Sequence, residues 1–450
     1  MRVAGFFALF VVVIVIGLPV AGAEERAGLP DRLHQGFGES AGALAKAEAR
    51  SEQNERRRVI APPGPKPVGP YSPGILAGDF LYVSGQGGRD AEGKLPATIE
   101  GQVRQTLQNV KVIVEAAGLT MEHVVYSQVY LVDMAHYDAM ERGWREFFPK
   151  AAPARAVLGV YRLPTDIAVE INAVAFRDRS RTKLIVPAGY PSNLSWTPGV
   201  MAGDRLYLSG ALGSDVSSGR VPVDSDAQVQ LAFDNMKRTL VAAGMDFRHV
   251  VFVNPYLTDQ ASRQMNAIYA KHFEFGNTPA RATIRVTSLP GGNAIALTGV
   301  AVADLSKRLA VRPKNMSPSA TASPCVFAGD TYYCSAKGPF TPGPALSTVE
   351  GPRTLQGIWV GAVEAQVRQT MRNLLDGLEE AGLKLSNVVA TNVYLDDMDD
   401  FPRMNKIYAQ YFPEVPPTRT TVAQLAPTDR TVRNEDTYPA LEQISLIAVK

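Results

Sequence analysis

The sequence predicts an α+β fold in which one β-β-α-β-α-β-β unit occurs three times along the chain. Three amphipathic helical segments of similar sequence begin with a glutamine, at Gln102, Gln228 and Gln366. Three strand-like segments carry an arginine shortly after a proline, at Arg155, Arg281 and Arg419. The second copy is offset from the first by 126 residues and the third by 264, for both features. The distance from helix to arginine is therefore the same in every copy, which indicates duplication of one unit.

The elements of each unit follow in a constant order. A hairpin with a Gly-Asp turn comes first, in AGDFLYVSGQ, AGDRLYLSGA and AGDTYYCSAK. The first helix follows, then a strand that begins with HVV or NVV, a second helix, the arginine strand and a closing strand. This order predicts helices on one face of a mostly antiparallel sheet. The predicted repeats span residues 61–178, 184–304 and 312–450, and two insertions in the third repeat are expected to be surface loops.

The bulk composition indicates a globular protein with no general affinity for polyanions. The chain has 450 residues, of which 46% are hydrophobic and 20% charged, and its formal net charge is +2. A single hydrophobic core is not expected at this length, and the charge gives no reason to expect binding to nucleic acid.

The first residues are expected to be a targeting segment. Met1–Ala23 combines one early basic residue, a long apolar run and small residues before Glu24. This pattern predicts a cleaved secretory signal peptide, and so a secreted or periplasmic protein with no stable membrane span. An uncleaved membrane anchor is the alternative, because the apolar run is close to the length that spans a bilayer. Residues 24–60 are polar and are predicted to form a tether.

Cys325 and Cys334 are the two cysteines of the chain, and they flank the predicted hairpin turn of the third repeat. In an oxidising compartment they could pair as a disulfide, but they could equally remain as two small apolar thiols. The five histidines show no metal-ligand spacing, so no metal site is expected.

The repeated arginines have a structural and a functional interpretation. A buried strand arginine is often paired with a carboxylate or with backbone carbonyls. A planar guanidinium also binds a small carboxylate through two parallel hydrogen bonds. Two further features of repeat one favour a ligand site: Ser84 and Gly85 at the end of a strand, and Glu170 within an apolar strand, where a carboxylate is costly.

Taken together, the motifs GPYSPG, LYVSGQ, QVRQTLQNV, EAAGL, PARAVLGVYRLP and VEINAVA resemble those of the RidA/YjgF family of reactive-intermediate deaminases. The resemblance implies a chorismate-mutase-like unit that forms trimers with ligand clefts between neighbours. Three fused units would then form an intramolecular pseudo-trimer, and we expect a monomer. The implied reaction is cofactor-independent hydrolysis of enamine or imine carboxylates such as 2-aminoacrylate to 2-keto acids and ammonia. Two alternatives remain: an exported binding module for small carboxylates, and a scaffold with decayed sites.

The family pattern can be carried over residue by residue. In repeat one it implies the catalytic residues Arg155, Glu170 and Tyr71, with Ser84 and Gly85 binding substrate. The other two repeats keep substrate-binding positions at Ser209, Gly210, Asn266, Arg281, Ser335, Asn405 and Arg419. Several positions depart from the pattern, namely Glu141, Val157, Trp196, Ala296, Ala322, Ala336 and Gln443. Because only repeat one keeps the glutamate, we expect hydrolysis there, and we expect Glu141 to weaken carboxylate binding if it faces the cleft.

Overall fold

In a computed structural model of the chain, each repeat forms one β-sheet with two helices against it, so the predicted α+β class is confirmed. The structure describes residues 57–150, 152–258, 265–314, 316, 318–340, 362–430 and 439–450. All of these belong to one compact unit, Asn54–Lys450. The predicted signal peptide, nearly all of the predicted tether and most of both insertions lie outside the described residues.

Repeat one has six strands and two helices. The strands are Arg57–Ile60, Gly74–Ala77, Phe80–Gly87, Val124–Leu131, Ala154–Gly159 and Val169–Phe176. The helices are Ile99–Ala116 and Tyr137–Phe147. The first helix begins where the Thr98 side chain accepts a hydrogen bond from the Gly101 backbone, which satisfies a free amide of the first turn.

Repeats two and three follow the same plan. Repeat two has strands Thr182–Ile185, Gly199–Ala202, Arg205–Leu212, Val250–Leu257, Ala280–Arg281, Ile284–Arg285 and Ile295–Val302, with helices Ser225–Ala242 and Met265–Tyr269. Repeat three has strands Arg308–Val311, Cys325–Ala328, Thr331–Lys337, Val388–Leu395, Thr418–Ala423 and Glu442–Val449, with helices Ala362–Glu380 and Phe401–Tyr408.

The strand order is the same in all three sheets. The two hairpin strands are followed across the sheet by the closing strand, the central strand and, at the far edge, the arginine strand. Neighbours are antiparallel except for the central and arginine strands, which are parallel. The arginine strand is therefore an edge strand of its own sheet.

Each sheet also has a short leading strand before the hairpin, which the sequence analysis did not predict. These strands, RRVI, TKLI and RLAV, pair antiparallel with the first hairpin strand. They lie in or beside the segments that the sequence indicates as tether and links, because four residues with one or two charged or polar side chains give a weak strand signal. Their charged side chains suit the edge position that they occupy.

The hairpin of repeat three places Cys325 directly opposite Cys334. The two Cα atoms are 4.0 Å apart and the side chains form a disulfide. The sequence allowed either a disulfide or two free thiols, and the structure has the disulfide.

The hydrophobic cores explain how the repeats are held together. One face of each sheet packs on its own two helices and forms a separate core. The opposite faces of all three sheets share one core, to which Tyr82, Tyr207 and Tyr333 contribute equivalent buried rings. Apolar burial of this kind is the main stabilising contribution to folding, so the three repeats stabilise one another.

Within the described ranges, no helix is long and apolar enough to span a membrane. The same part of the chain holds no cluster of histidine, cysteine and acidic side chains suited to a metal ion.

Candidate active site

Each arginine strand packs against the next repeat rather than against its own hairpin. The backbone N–H of each arginine donates a hydrogen bond to a buried serine hydroxyl of that next repeat: Arg155 to Ser209 at 2.8 Å, Arg281 to Ser335 at 2.8 Å, and Arg419 to Ser84 at 2.9 Å. Each serine in turn donates to a backbone carbonyl of its own repeat. The third repeat thus contacts the first, and three clefts form between repeats.

The predicted catalytic set of Arg155, Glu170 and Tyr71 is not brought together. Arg155 lies against repeat two, and the guanidinium beside Glu170 and Tyr71 belongs to Arg419 of repeat three. The reason is geometric: the arginine strand is at the edge of its sheet, where its free backbone N–H donates to the hairpin serine of the next repeat. The central strand separates it from its own closing strand. We call this composite site the Arg419 cleft.

The Arg419 side chain is buried among aromatic rings, and no acidic group of the described residues lies within hydrogen-bonding distance of it. Its guanidinium carbon lies 5.3 Å from the ring centre of Tyr71, 5.3 Å from that of Phe401 and 5.1 Å from that of Tyr408. Neither Nη1 nor Nη2 has a hydrogen-bond partner in the part of the chain that the structure describes. Burial lowers the pKa of Arg419, but an arginine stays cationic in the physiological range. This cation is therefore available to an anionic ligand.

Glu170 is the acidic group of the same cleft. It is buried, and loss of solvation raises its pKa to about 8, although the Thr421 backbone N–H and the Arg419 charge oppose that rise. Glycine is required at position 85, because a Cβ there would overlap the Glu170 carboxyl group. Burial likewise raises the pKa of Tyr71, whose hydroxyl accepts a hydrogen bond from the Val68 amide at 3.3 Å.

A cavity of about 260 Å³ opens in this cleft, and Tyr71, Gly85, Glu170, Arg419 and Thr421 are among the residues that line it. The cavity unites an unpaired cation with an acid of raised pKa. Such a combination of a concave site, a convergent charge and a perturbed acid is typical of a catalytic pocket.

Two residues of this cleft were missed by the sequence analysis. The Thr421 hydroxyl is buried without a hydrogen-bond partner, and the Phe401 ring lies over the guanidinium. Thr421 stands 264 residues after Val157 and so occupies the position where the family pattern has cysteine. The constant offset of 264 residues is the sequence signal that identifies this position in repeat three. Asn405, a predicted substrate-binding residue, also lies here, with Gly69 against both its amide and the Arg419 guanidinium.

The Arg155 cleft, between repeats one and two, is occupied by the protein itself. Arg155 Nη2 forms an ion pair with Glu141, and the other oxygen of that carboxylate accepts from the Ser195 hydroxyl. The Arg155 guanidinium stacks over Trp144 at 4.7 Å. Glu141 thus faces the cleft, and its carboxylate takes the place that a ligand carboxylate would need.

Other residues aligned with this cleft line a separate cavity. Ser209, Gly210 and Trp196 line a cavity of about 130 Å³ whose lining does not include Arg155. Ala296, at the position of Glu170, supplies no acid. The predicted substrate-binding roles of Ser209 and Gly210 remain predictions, and the Ser209 hydroxyl is engaged with the Arg155 backbone.

The Arg281 cleft, between repeats two and three, keeps its arginine but lacks the glutamate. Arg281 Nη1 donates to Asn266 Oδ1 at 2.9 Å, and the guanidinium lies 4.9 Å from the Tyr269 ring centre. Gln443 stands opposite Tyr394 in the sheet just as Glu170 stands opposite Tyr130. The register therefore agrees with the alignment that assigned the glutamate position of repeat three to Gln443.

Glu442, one residue earlier, faces the helices of repeat three instead. Its Oε1 accepts a hydrogen bond from the Thr370 hydroxyl at 2.5 Å, and burial raises the pKa of Glu442 to about 8. Adjacent strand residues point to opposite faces, so Glu442 is not part of the Arg281 cleft.

Comparison with known sequences finds one family match in each of the three repeats. One family model, described as Endoribonuclease L-PSP, matches residues 62–177, 190–303 and 314–432. The chain belongs to the RidA/YjgF family. Its three tandem family units account for most of the sequence, and each match falls on one of the three sheets.

Several single-unit members of the RidA/YjgF family are similar to one repeat. A RutC family protein of Pyrococcus horikoshii is 42% identical over 116 residues, which is 25% of this chain and 92% of the relative. The Escherichia coli protein named 2-iminobutanoate/2-iminopropanoate deaminase is 38% identical over 117 residues, or 25% of this chain and 91% of the relative. The crystal structure of the E. coli YjgF gene product is 36% identical and covers 27% of this chain and 99% of its own, with a TM-score of 0.26.

Proposed function

We propose that the chain hydrolyses small 2-imino or enamine carboxylates to 2-keto acids and ammonia in the Arg419 cleft, without a cofactor. One observation carries this proposal: the unpaired Arg419 guanidinium shares a cavity with Glu170, whose pKa is about 8. The name of the E. coli relative, 2-iminobutanoate/2-iminopropanoate deaminase, supports the same substrate class.

Arg419 is proposed to bind the substrate carboxylate. A buried guanidinium forms strong paired hydrogen bonds with a carboxylate, and the aromatic rings around it exclude competing water. The bound positive charge also withdraws electron density from the neighbouring imine carbon. That carbon then becomes more susceptible to attack by water.

Glu170 is proposed to move the protons. With its pKa near 8 the carboxyl group is largely protonated at neutral pH, so it can donate a proton to the imine nitrogen as water oxygen bonds to carbon. The resulting carboxylate takes a proton from the added water, which gives a neutral carbinolamine. Glu170 then donates its proton to the amino group as the carbon–nitrogen bond breaks, so that ammonia leaves. The Glu170 carboxylate takes the hydroxyl proton as the carbonyl of the 2-keto acid forms.

The test is ammonia release from freshly generated 2-iminopropanoate, measured above the spontaneous rate. Arg419→Met and Glu170→Gln are each expected to lose most of the acceleration, on the order of 100-fold for an essential electrostatic or proton-transfer group. The matched control is Arg155→Met combined with Glu141→Gln, which removes the equivalent arginine and its internal partner and is expected to retain activity. Wild-type rates in Arg419→Met would refute the proposal.

A binding module is the second candidate, and the clefts give one reason to consider it. The Arg155 cleft is filled by Glu141, and the Arg281 cleft has Gln443 at the glutamate position. Binding of 2-ketobutyrate without any release of ammonia from an imine substrate would support this alternative over hydrolysis.

We also propose that the three repeats act as an intramolecular pseudo-trimer and that the chain is exported. The serine–arginine hydrogen bonds between all three pairs of repeats and their common core support the first idea. A monomer by light scattering would agree with it, whereas an obligate trimer of chains would not. For export, the pattern of Met1–Ala23 is the support, and N-terminal sequencing of the mature protein after cell fractionation is the test.

A further inference from the structure

The strand whose Ser335 bonds the Arg281 backbone carries a second cation, Lys337, that the proposed function does not use. Lys337 follows Ser335 by two residues on the hairpin strand and occupies the position that Gln86 has in repeat one. Gln86 lines the cavity of the Arg419 cleft together with Arg419 and Pro65. Lys337 Nζ contacts the Met316 sulfur at 3.9 Å, and Met316 is the counterpart of Pro65. By this correspondence, the Lys337 ammonium group stands in the Arg281 cleft where the Gln86 amide stands in the Arg419 cleft.

Neither cation of this cleft has an anionic partner in the part of the chain that the structure describes. Arg281 donates to the neutral Asn266 amide, and among the described residues the Lys337 ammonium contacts the Met316 thioether. Burial lowers the pKa of both groups, that of Lys337 to about 8. In the Arg155 cleft, by contrast, Glu141 neutralises the arginine within the protein.

Two partly buried cations without counter-charge favour an anionic ligand. Removing a charge from water is costly unless an opposite charge compensates for it. A single carboxylate at Arg281 would offset one of the two charges and leave Lys337 unpaired. A second acid group on the same ligand would offset both.

We propose that the Arg281 cleft is a binding site for small dicarboxylates, with one carboxylate held by Arg281 and the other by Lys337. The cleft binds its ligand without hydrolysing it, because Gln443 and Ala322 stand where the Arg419 cleft has Glu170 and Tyr71. This site is separate from the proposed hydrolytic cleft, and its ligand differs in class from a 2-imino monoacid.

The experiment compares succinate with butanoate, which has the same number of carbons and one acid group fewer. Calorimetric titration is carried out on the full chain carrying Arg419→Met, so that monoacid binding in the Arg419 cleft does not contribute. We expect succinate to bind roughly tenfold more tightly than butanoate, which corresponds to one additional charge contact.

Variants at position 337 separate charge from shape. Lys337→Gln, which installs the residue of the Arg419 cleft, is expected to abolish the preference for succinate, whereas Lys337→Arg keeps the charge and the preference. Arg281→Gln is expected to weaken both ligands. Equal binding of the two acids, or a preference that survives in Lys337→Gln, would overturn the proposal.

Because hydrolysis is assayed by ammonia release in the Arg419 cleft, the two proposals can fail independently. Succinate binding with no imine hydrolysis would refute only the proposed function. Hydrolysis with no succinate preference would refute only this inference.

Discussion

Loss of the ion pair between Glu141 and Arg155 is expected to destabilise the folded protein. Glu141→Asn introduces the residue found at the same helix position in the other repeats, Asn266 and Asn405. The change leaves the Arg155 guanidinium, whose side chain is 1% exposed, without its carboxylate. Breaking one partner of a buried ion pair typically costs about 3 to 5 kcal/mol. The Glu141 side chain is 15% exposed, so we expect the lower end, about 3 kcal/mol.

An added carboxylate should recover much of that loss. A ligand present at 100 times its dissociation constant stabilises a folded protein by about 2.7 kcal/mol. We therefore expect 2-ketobutyrate to raise the urea midpoint of Glu141→Asn far more than that of the wild type, where the cleft is already filled. Glu141→Gln, with a longer neutral side chain, serves as the comparison for charge loss without shortening.

The assay is urea unfolding followed by intrinsic fluorescence, with and without the keto acid. The wild type provides the baseline for ligand binding in the other clefts. If 2-ketobutyrate shifts the wild type and Glu141→Asn equally, or if the variant is as stable as the wild type without ligand, then Glu141 does not occupy a carboxylate site and the reasoning is wrong.

Two further predictions concern buried polar groups. The raised folded-state pKa of Glu442, about 8, means that its contribution to stability is complete below about pH 4.5 and is lost as the pH rises through 8. The unfolding free energy of Glu442→Gln, relative to that of the wild type, should therefore rise by roughly 2 to 4 kcal/mol from acidic to alkaline pH. The prediction is contradicted if the difference between variant and wild type is the same at both pH values. Thr421→Val removes an unpartnered buried hydroxyl of the Arg419 cleft, and we expect a roughly fivefold loss in kcat/KM for imine hydrolysis, the value of about one hydrogen bond. Thr283→Val, at the same position of the Arg281 cleft, is its control, and equal rates in the two variants would exclude a role for Thr421 in binding.

Much of the fold could be predicted from local signals. The hairpins with a Gly-Asp turn and the glycine-terminated helices appear as expected, because side-chain periodicity and turn residues act over a few neighbours. The leading strands were missed because each is four residues long and depends on pairing with a hairpin, as Arg57–Ile60 does. Strand formation of that kind depends on tertiary contacts more than on propensity.

The candidate site was predicted only in part, because its residues come from distant parts of the chain. An arginine, a glutamate, a tyrosine and a serine-glycine pair do lie in one cleft. Their grouping was wrong, since Arg155 was assigned to Glu170 and the structure supplies Arg419 instead. Nothing in the local sequence around Glu170 distinguishes among three arginines on equivalent strands.

The sequence by itself determined that one α+β unit is present three times, that each copy carries an arginine on an equivalent strand, and that Glu170 has no acidic counterpart at the same position in the other copies. Only the tertiary structure decided which arginine meets that glutamate and that Glu141 closes one cleft. The physical reason is that an edge strand has free backbone groups, which pair with whichever repeat packs beside it. That neighbour is selected by the shared core of all three sheets, which no single repeat encodes.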